Sequence, residues 1–305
     1  MKVIQQVSFA GIDAIRDVEI PDPKLSPMTA LVETAYVPVL PWDVMTEKGD
    51  LQNMRPVQLP LVIGYGFSGV VSKVGALRSS NLIGQRVIGA NPAGAMQERI
   101  ASNLPPLLFK VPDNVRLRDA ATLIGGADAA LMAVNTMQVS SGDTVLVTGA
   151  SGGVGTYLIQ LLKMVGAHVE ALASPPNFDF LKKIGVDDLV DYSADVTTQL
   201  ANLPHANKVI DTVGRLDLLE AIIAATRHFD LLSLSTTTFP EHTQDQTFQF
   251  ANGSIGLNGY KRLLNWLSDG TLQAHVQTIL PVEQIKQAQH QLVEEHSHGR
   301  ILIKF

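Results

Sequence analysis

The chain has 305 residues, 46% of them apolar and 17% charged, a size and texture that suit two globular domains with ordinary cores and exclude a largely disordered chain. Its net charge of −6, without a lysine or arginine cluster, gives no electrostatic reason to bind nucleic acid or an anionic membrane, so the expected partners are small molecules. Cysteine is absent, which excludes disulfides, thiolate metal sites, iron–sulfur clusters and cysteine nucleophiles together.

Residues 1–10, MKVIQQVSFA, alternate like a strand and lack the apolar stretch and cleavage site of a signal peptide, so a cytoplasmic protein is expected. Up to about residue 112, short apolar runs such as ALVETAYVPV and GQRVIGA are cut by proline and glycine, the pattern of an irregular β domain. LRDAATLIGGADAALMAVNTM then reads as helical. The most apolar window, Ala120–Val139, contains Asp128, Asn135 and two glycines, and reads as a buried helix after a turn rather than a membrane span. Strands are expected near 144–148, 168–173, 208–211 and 230–235, with helices at Gly153–Val165 and Asn177–Ile184 between them. That alternation implies βαβ crossovers and a doubly wound parallel sheet over 113–248. After Thr238 the pattern is mixed, and GRILIKF at the end is a strand that must pair elsewhere, most economically with the first domain. Domains are therefore expected at 1–112, 113–248 and 249–305, the last returning to the first.

Ala150, Gly152 and Gly155 form A-x-G-x-x-G after a strand and at the head of a helix. Such a loop needs a tight turn and a residue without Cβ where backbone approaches a pyrophosphate, and the helix N-terminus attracts the anion. Ala150, Ser151, Gly152, Gly153, Val154 and Gly155 are thus the expected dinucleotide loop. Cofactor choice is read at the end of the second strand, where an NAD site has an acidic residue for the ribose hydroxyls. Ser174 stands there, and the next acid is Asp179. A carboxylate would repel a 2′-phosphate, so its absence favours NADP. Glu170 competes but lies mid-strand, and no arginine or lysine between Ser174 and Lys182 is available for the phosphate; Lys182 and Lys183 lie along the next helix. Asn177 is a further partner for that phosphate. Thr212, Val213 and Gly214 end one strand, Ser235 and Thr236 another, where such sheets place ligands.

The chain resembles the medium-chain dehydrogenase/reductase superfamily, specifically its zinc-free quinone oxidoreductase branch. The resemblance rests on PLVIGYGFSGVVSKVG (60–75), GQRVIGA (84–90), DAATLIGGADAAL (119–131), VLVTGASGGVG (145–155), NFDFLKKIGVDDLVDY (177–192), VIDTVG (209–214) and GRILIKF (299–305), in that order. It implies a Rossmann domain, a GroES-like β-rich catalytic domain built from both chain ends, a nicotinamide cleft at their junction, and a homodimer or tetramer, of which the dimer is expected. The zinc-ligand positions of its alcohol dehydrogenases match Leu40, Tyr65 and Gly66 here, which lack thiolate, imidazole and carboxylate, so no metal is expected. Tyr192 matches a family position near the adenosine phosphate, with a plain surface tyrosine as the alternative. Two departures count against efficient chemistry. VLPWD puts Leu40 where members often carry asparagine, and Asp128 stands where they often carry threonine.

The candidate catalytic residues are Tyr65, Asp43 and Asp128. Tyr65 either donates a proton to a reduced carbonyl oxygen or is structural. Asp43 either faces the cleft or caps a short helix, and Trp42 beside it either walls a quinone site or packs in the core. Asp128, in an apolar stretch, must be exposed at the domain junction or paired. His296 and His298 are expected to be exposed, and the eight histidines form no evident metal cluster. The expected activity is NADPH-dependent hydride transfer to a quinone or conjugated carbonyl. Alternatives are an enal or enoyl-thioester reductase, for whose phosphates Lys261 and Arg262 are scattered candidates, and a non-catalytic NADPH-binding sensor or scaffold. Loops 40–55 and 238–258 are the expected pocket walls.

Overall fold

A computed structural model describes residues 1–103, 108–295 and 298–305. It contains two compact units, one formed by Met1–Gly125 with Tyr260–Phe305 and the other by Gly126–Gly259. The borders expected near 112 and 248 therefore fall about a dozen residues later in each case. The short helix Leu117–Ala121 explains the first shift, because it packs on the strands Ala30–Pro38, Gly66–Val74 and Arg86–Ala90 of the first unit.

The first unit is a β structure. Its main sheet has seven strands: Val276–Pro281, Arg300–Lys304, Ala30–Pro38, Gly66–Val74, Arg86–Ala90 and Phe109–Lys110 in spatial order, with Arg99–Ser102 pairing with Ala30–Pro38 off that path. A smaller antiparallel sheet joins Ile15–Glu19, Lys2–Gln6 and Leu61–Val62. The strand legible in GRILIKF finds its partner as expected: Leu302, Ile303 and Lys304 pair antiparallel with Pro38, Val37 and Tyr36. Alternation drives the assembly, since Ile4, Val32, Val37, Phe67, Val87, Ile100 and Ile303 all face one buried cluster. Each such side chain contributes roughly 1.5–3 kcal/mol by leaving water.

The second unit is a six-stranded parallel sheet in the order Asp188–Asp191, His168–Ala173, Thr144–Val147, Lys208–Asp211, Phe229–Ser233, Gln246–Phe250. All neighbours are parallel. Chain order along the sheet is thus 3-2-1-4-5-6, the doubly wound arrangement, and it reverses between Thr144–Val147 and Lys208–Asp211. Two strands, Asp188–Asp191 and Gln246–Phe250, were not among those expected. Helix Asp128–Thr136 leads into the first strand, and helices Gly155–Val165, Phe178–Lys183, Val196–Ala201 and Leu216–Ala225 lie in the crossovers. The strand after the glycine loop's helix begins where it should because Gly166, in a left-handed conformation, stops the helix.

The apolar window 120–139 is not one helix. Ile124 and Gly125 have non-helical backbone, and the helix restarts at Asp128. Among the described residues no helix is long and apolar enough to cross a membrane. His296 lies outside the described residues, and His298 is exposed.

Candidate functional site

At the point where the sheet order reverses, the turn after Thr144–Val147 is made by Gly149, one residue before the expected motif. Its φ is +64°, and a Cβ there would lie 2.3 Å from Thr212 Oγ1 and 2.7 Å from Val213 Cγ2. A side chain is excluded twice, by conformation and by space. Gly155 is closed for a second reason: its Cβ would sit 2.3 Å from the Gly149 carbonyl oxygen, so the helix can start this tightly against the turn only with glycine. Ala150 is fully buried between them, while Ser151, Gly152, Gly153 and Val154 are half-buried. Helix Gly155–Val165 opens directly onto this turn and presents to it the positive dipole end that suits a pyrophosphate, although the N–H groups of Thr156 and Tyr157 already donate to the Gly152 and Val154 carbonyls (3.0 and 3.1 Å). Alanine at position 150 is therefore no defect, since Gly149 supplies the left-handed turn.

The neighbouring strand ends are fastened by Asp211, which is 1% exposed. It accepts hydrogen bonds from Thr148 Oγ1 (2.5 Å), Ser233 Oγ (2.6 Å) and the backbone N–H groups of Val213 and Gly214 (3.1 Å each). Thr212 reaches back to the Thr148 carbonyl (2.8 Å), and Ser233 Oγ accepts from the N–H groups of Ser235 and Thr236 (3.1 and 3.0 Å). Thr212, Val213, Ser235 and Thr236 thus come together on one rigid rim, and Val213 is 43% exposed there, an apolar surface for a planar ring. Asp211, Thr148 and Ser233 were missed in the sequence. Their signal was an acid ending an otherwise apolar strand, VID.

At the end of the second strand, the Asn177 amide donates to Ser151 Oγ (2.9 Å) and to Ser174 Oγ (3.4 Å), joining three expected cofactor residues through one side chain. No carboxylate takes part in these bonds. Asp179 begins the following helix, and Glu170 is the third residue of its strand, in register with Leu146 and Asp188. Tyr192 follows the third strand with the Arg215 guanidinium 5.8 Å from its ring centre. Arg215, which also pairs with Asp217, is a cation that local sequence could not place beside Tyr192. Lys182 and Lys183 are exposed at the end of helix Phe178–Lys183.

In the first unit, Asp43 and Tyr65 face the same cavity. It is lined also by Gln6, Thr46, Arg55 and Gly64 and has a volume of about 30 Å³, enough for a water but not for an aromatic substrate. The Arg55 guanidinium lies 6.0 Å from the Tyr65 ring centre. Asp43 is not the N-cap of helix Pro41–Lys48 but its third residue. Its Oδ2 accepts the Leu40 N–H (3.0 Å), so it closes the helix start from inside. Burial raises its carboxyl to about 7, against the Leu40 hydrogen bond and the charges of Arg300 and Arg55. One turn on, fully buried Glu47 is raised to about 8, mainly by burial, with Asp43 adding to the rise and the Gln289 hydrogen bond (2.7 Å) opposing it. Its Oε2 has no hydrogen-bond partner among the described residues, so no donor there offsets the cost of burying the charged form. Trp42 is half-buried on the same helix, and Thr46 Oγ1 donates to its carbonyl. Asp128 is not part of this cavity. It belongs to the second unit, half-buried at the start of helix Asp128–Thr136, where it accepts the Ala129 N–H (2.7 Å).

The positions that hold zinc in the alcohol dehydrogenases offer no ligand set here. Leu40 is buried with its methyl carbons against Gly125, where a Cβ would come within 2.8 Å of them. A Cβ on Gly66 would lie 2.5 Å from Ile124 Cγ2, so even a short ligand side chain has no room there. Of these three positions only Tyr65 presents a side-chain donor atom, its phenol oxygen.

Residues 153–260 match the family model for zinc-binding dehydrogenases, and residues 26–105 match that for the alcohol dehydrogenase GroES-like domain. A chloroplastic quinone-oxidoreductase homolog of Spinacia oleracea is 30% identical over 203 residues, which cover 63% of this chain and 61% of that protein, under two thirds of its length. A Schizosaccharomyces pombe protein named "Probable quinone oxidoreductase" is 27% identical, with 99% of this chain and 96% of that protein covered. Among solved structures, the quinone oxidoreductase from Coxiella burnetii superposes with a TM-score of 0.86 at 25% identity, covering 100% of this chain and 99% of that one.

Two expected outcomes follow from the geometry. Gly149→Ala places a side chain where left-handed backbone costs about 1–2 kcal/mol and Thr212 leaves no space, so the dissociation constant for a nicotinamide dinucleotide should rise on the order of tenfold or more; unchanged binding by fluorescence titration would remove the turn from the cofactor site. The second outcome concerns pH. Glu47 takes up a proton on folding between its ordinary value of 4.5 and about 8, so the stability it contributes is full below that window and is lost as pH rises through it. Urea unfolding should show stability falling from pH 5 to 8.5, with Glu47→Gln flattening the fall and exceeding the parent at pH 8.5.

Proposed function

The chain belongs to the medium-chain dehydrogenase/reductase superfamily, in its quinone oxidoreductase-like branch, and on that basis we propose that it is an NADPH-dependent, zinc-independent reductase of quinones or conjugated carbonyl compounds. The observation that carries this reading is the glycine turn at the reversal point of a 3-2-1-4-5-6 parallel sheet, beside an uncharged Ser151–Ser174–Asn177 cluster. The turn and the helix N-terminus receive the pyrophosphate. Ser174 and Asn177 receive the adenosine ribose and its 2′-phosphate, with Tyr192 and its companion Arg215 closing that side. Thr212, Val213, Ser235 and Thr236 bear on the nicotinamide half. When bound, the cofactor supplies a hydride.

The first unit's contribution is a proton. With Oδ2 of Asp43 held by the Leu40 N–H, its Oδ1 is the atom that carries the proton near neutral pH. Arg55 and Tyr65 share the cavity, through which one water can relay it. No metal is required, because a quinone or an enone is already polarised, and the residues act by orientation and proton supply.

Purified protein in the presence of chelator should oxidise NADPH with a para-quinone or an enone, and NADPH should be preferred to NADH. Ser174→Asp should reverse that preference by setting a carboxylate against the 2′-phosphate. Tight NADPH binding without acceptor-dependent oxidation would instead favour a sensor or scaffold. Asp43→Asn keeps the acceptor for the Leu40 N–H but loses the proton. Its turnover at pH 7 should fall roughly 10²-fold with NADPH affinity unchanged, and full activity in this variant would take Asp43 out of the chemistry.

A further inference from the structure

At the amino-terminal end of the second unit's sheet, away from the strand ends that carry the cofactor residues, three metal-ligating side chains converge. His168 and Glu170 are two apart on one strand and share a face, and Asp188 is in register with Glu170 on the neighbouring edge strand. One ligand atom from each lies within 4.8 Å of the others. His168 Nε2 is 2.7 Å from Asp188 Oδ2. Glu170 is 1% exposed, and its buried Oε1 has no hydrogen-bond partner among the described residues. A carboxylate oxygen taken out of water with nothing in its place is a costly arrangement that a bound cation would relieve.

Of the neighbouring charges, Asp187 Oδ2 lies 3.7 Å from His168 Nδ1, on the other side of the imidazole from Asp188. Lys163 is engaged by Asp187 at 2.7 Å, and Asp187 itself accepts the Val169 N–H. The donor set is one imidazole nitrogen and two carboxylates, and the hydrogen bond between His168 and Asp188 is what a bound ion would replace. Such a set suits zinc or a similar divalent transition ion better than magnesium or calcium, which favour oxygen alone. Bonds of about 2.0–2.2 Å put the ligands of a tetrahedral ion roughly 3.5 Å apart, a closure that rotation of the partly exposed His168 and Asp188 side chains can supply.

We propose that His168, Glu170 and Asp188 form a zinc-type divalent metal site that fastens the edge strand Asp188–Asp191 to its neighbour. The site is unrelated to the vacated zinc positions of the first unit, and its role is structural, because it sits at the end of the sheet opposite the cofactor loop.

The test uses the tag-free full chain, stripped with chelator and titrated calorimetrically with zinc chloride and, in parallel, magnesium chloride. Zinc should bind with one equivalent and raise the melting temperature, and magnesium should do neither. Glu170→Gln and His168→Ala should each weaken zinc binding on the order of 10–100-fold while leaving the NADPH dissociation constant unchanged. His168 is partly exposed, so its alanine variant folds even if burial of the Glu170 replacement proves disruptive, and that variant alone then decides. Absence of stoichiometric zinc binding overturns the proposal, and so does zinc binding of parental strength in the His168→Ala protein.

Discussion

A charge buried at the centre of a parallel sheet survives only where hydrogen bonds replace its water, and Asp211 meets that condition with hydroxyls from two adjacent strands and two backbone N–H groups from its own loop. The arrangement couples three things that the sequence keeps far apart: the end of the first strand at Thr148, the turn at 212–214, and the loop after Ser233. Because Gly149 leans on Thr212 and Val213, the position of the cofactor turn is inherited from that carboxylate. The glycines permit the turn, and Asp211 decides where its neighbours stand.

The first unit solves the same problem in the opposite way. Asp43 and Glu47, one turn apart, are not surrounded by enough donors to hold two negative charges. Burial therefore lifts both carboxyls into or above the neutral range. One unit thus buries a fully bonded carboxylate that serves as a fixed anchor. The other buries carboxyls that hold protons. The difference lies in the count of donors around each oxygen, not in the residue type.

Much of this was legible along the chain. The parallel sheet, the glycine loop at its first strand, and the return of GRILIKF to the first unit all follow from local periodicity and from turn chemistry. The misses share a cause. Gly149 was passed over because the pattern alone favours the later glycines, whereas only φ and the approach of Thr212 single out the one that turns. Strands Asp188–Asp191 and Gln246–Phe250 carry too few apolar residues in a row to stand out. Arg215 meets Tyr192, and Asp188 meets His168, through sheet order and register, which no window of sequence contains. Asp43 read as a helix cap, and it closes the helix start from the third position, but its carboxyl is raised by a burial that only tertiary packing supplies, against the charge of Arg300, 257 positions away in the chain.

Arg300 opens the strand that lies beside Ala30–Pro38, and its guanidinium donates to the Val39 carbonyl. The second unit, by contrast, is drawn from one unbroken stretch. A ribosome adding about 5–20 residues per second leaves the Ala30–Pro38 edge without that neighbour for roughly 13–50 s, long enough for the later-made unit to fold first. The half of the protein that is made first is therefore completed last. Until it is, an apolar strand edge stands open to any other chain that offers one, which makes the newborn protein, rather than the finished one, the form in most need of a chaperone.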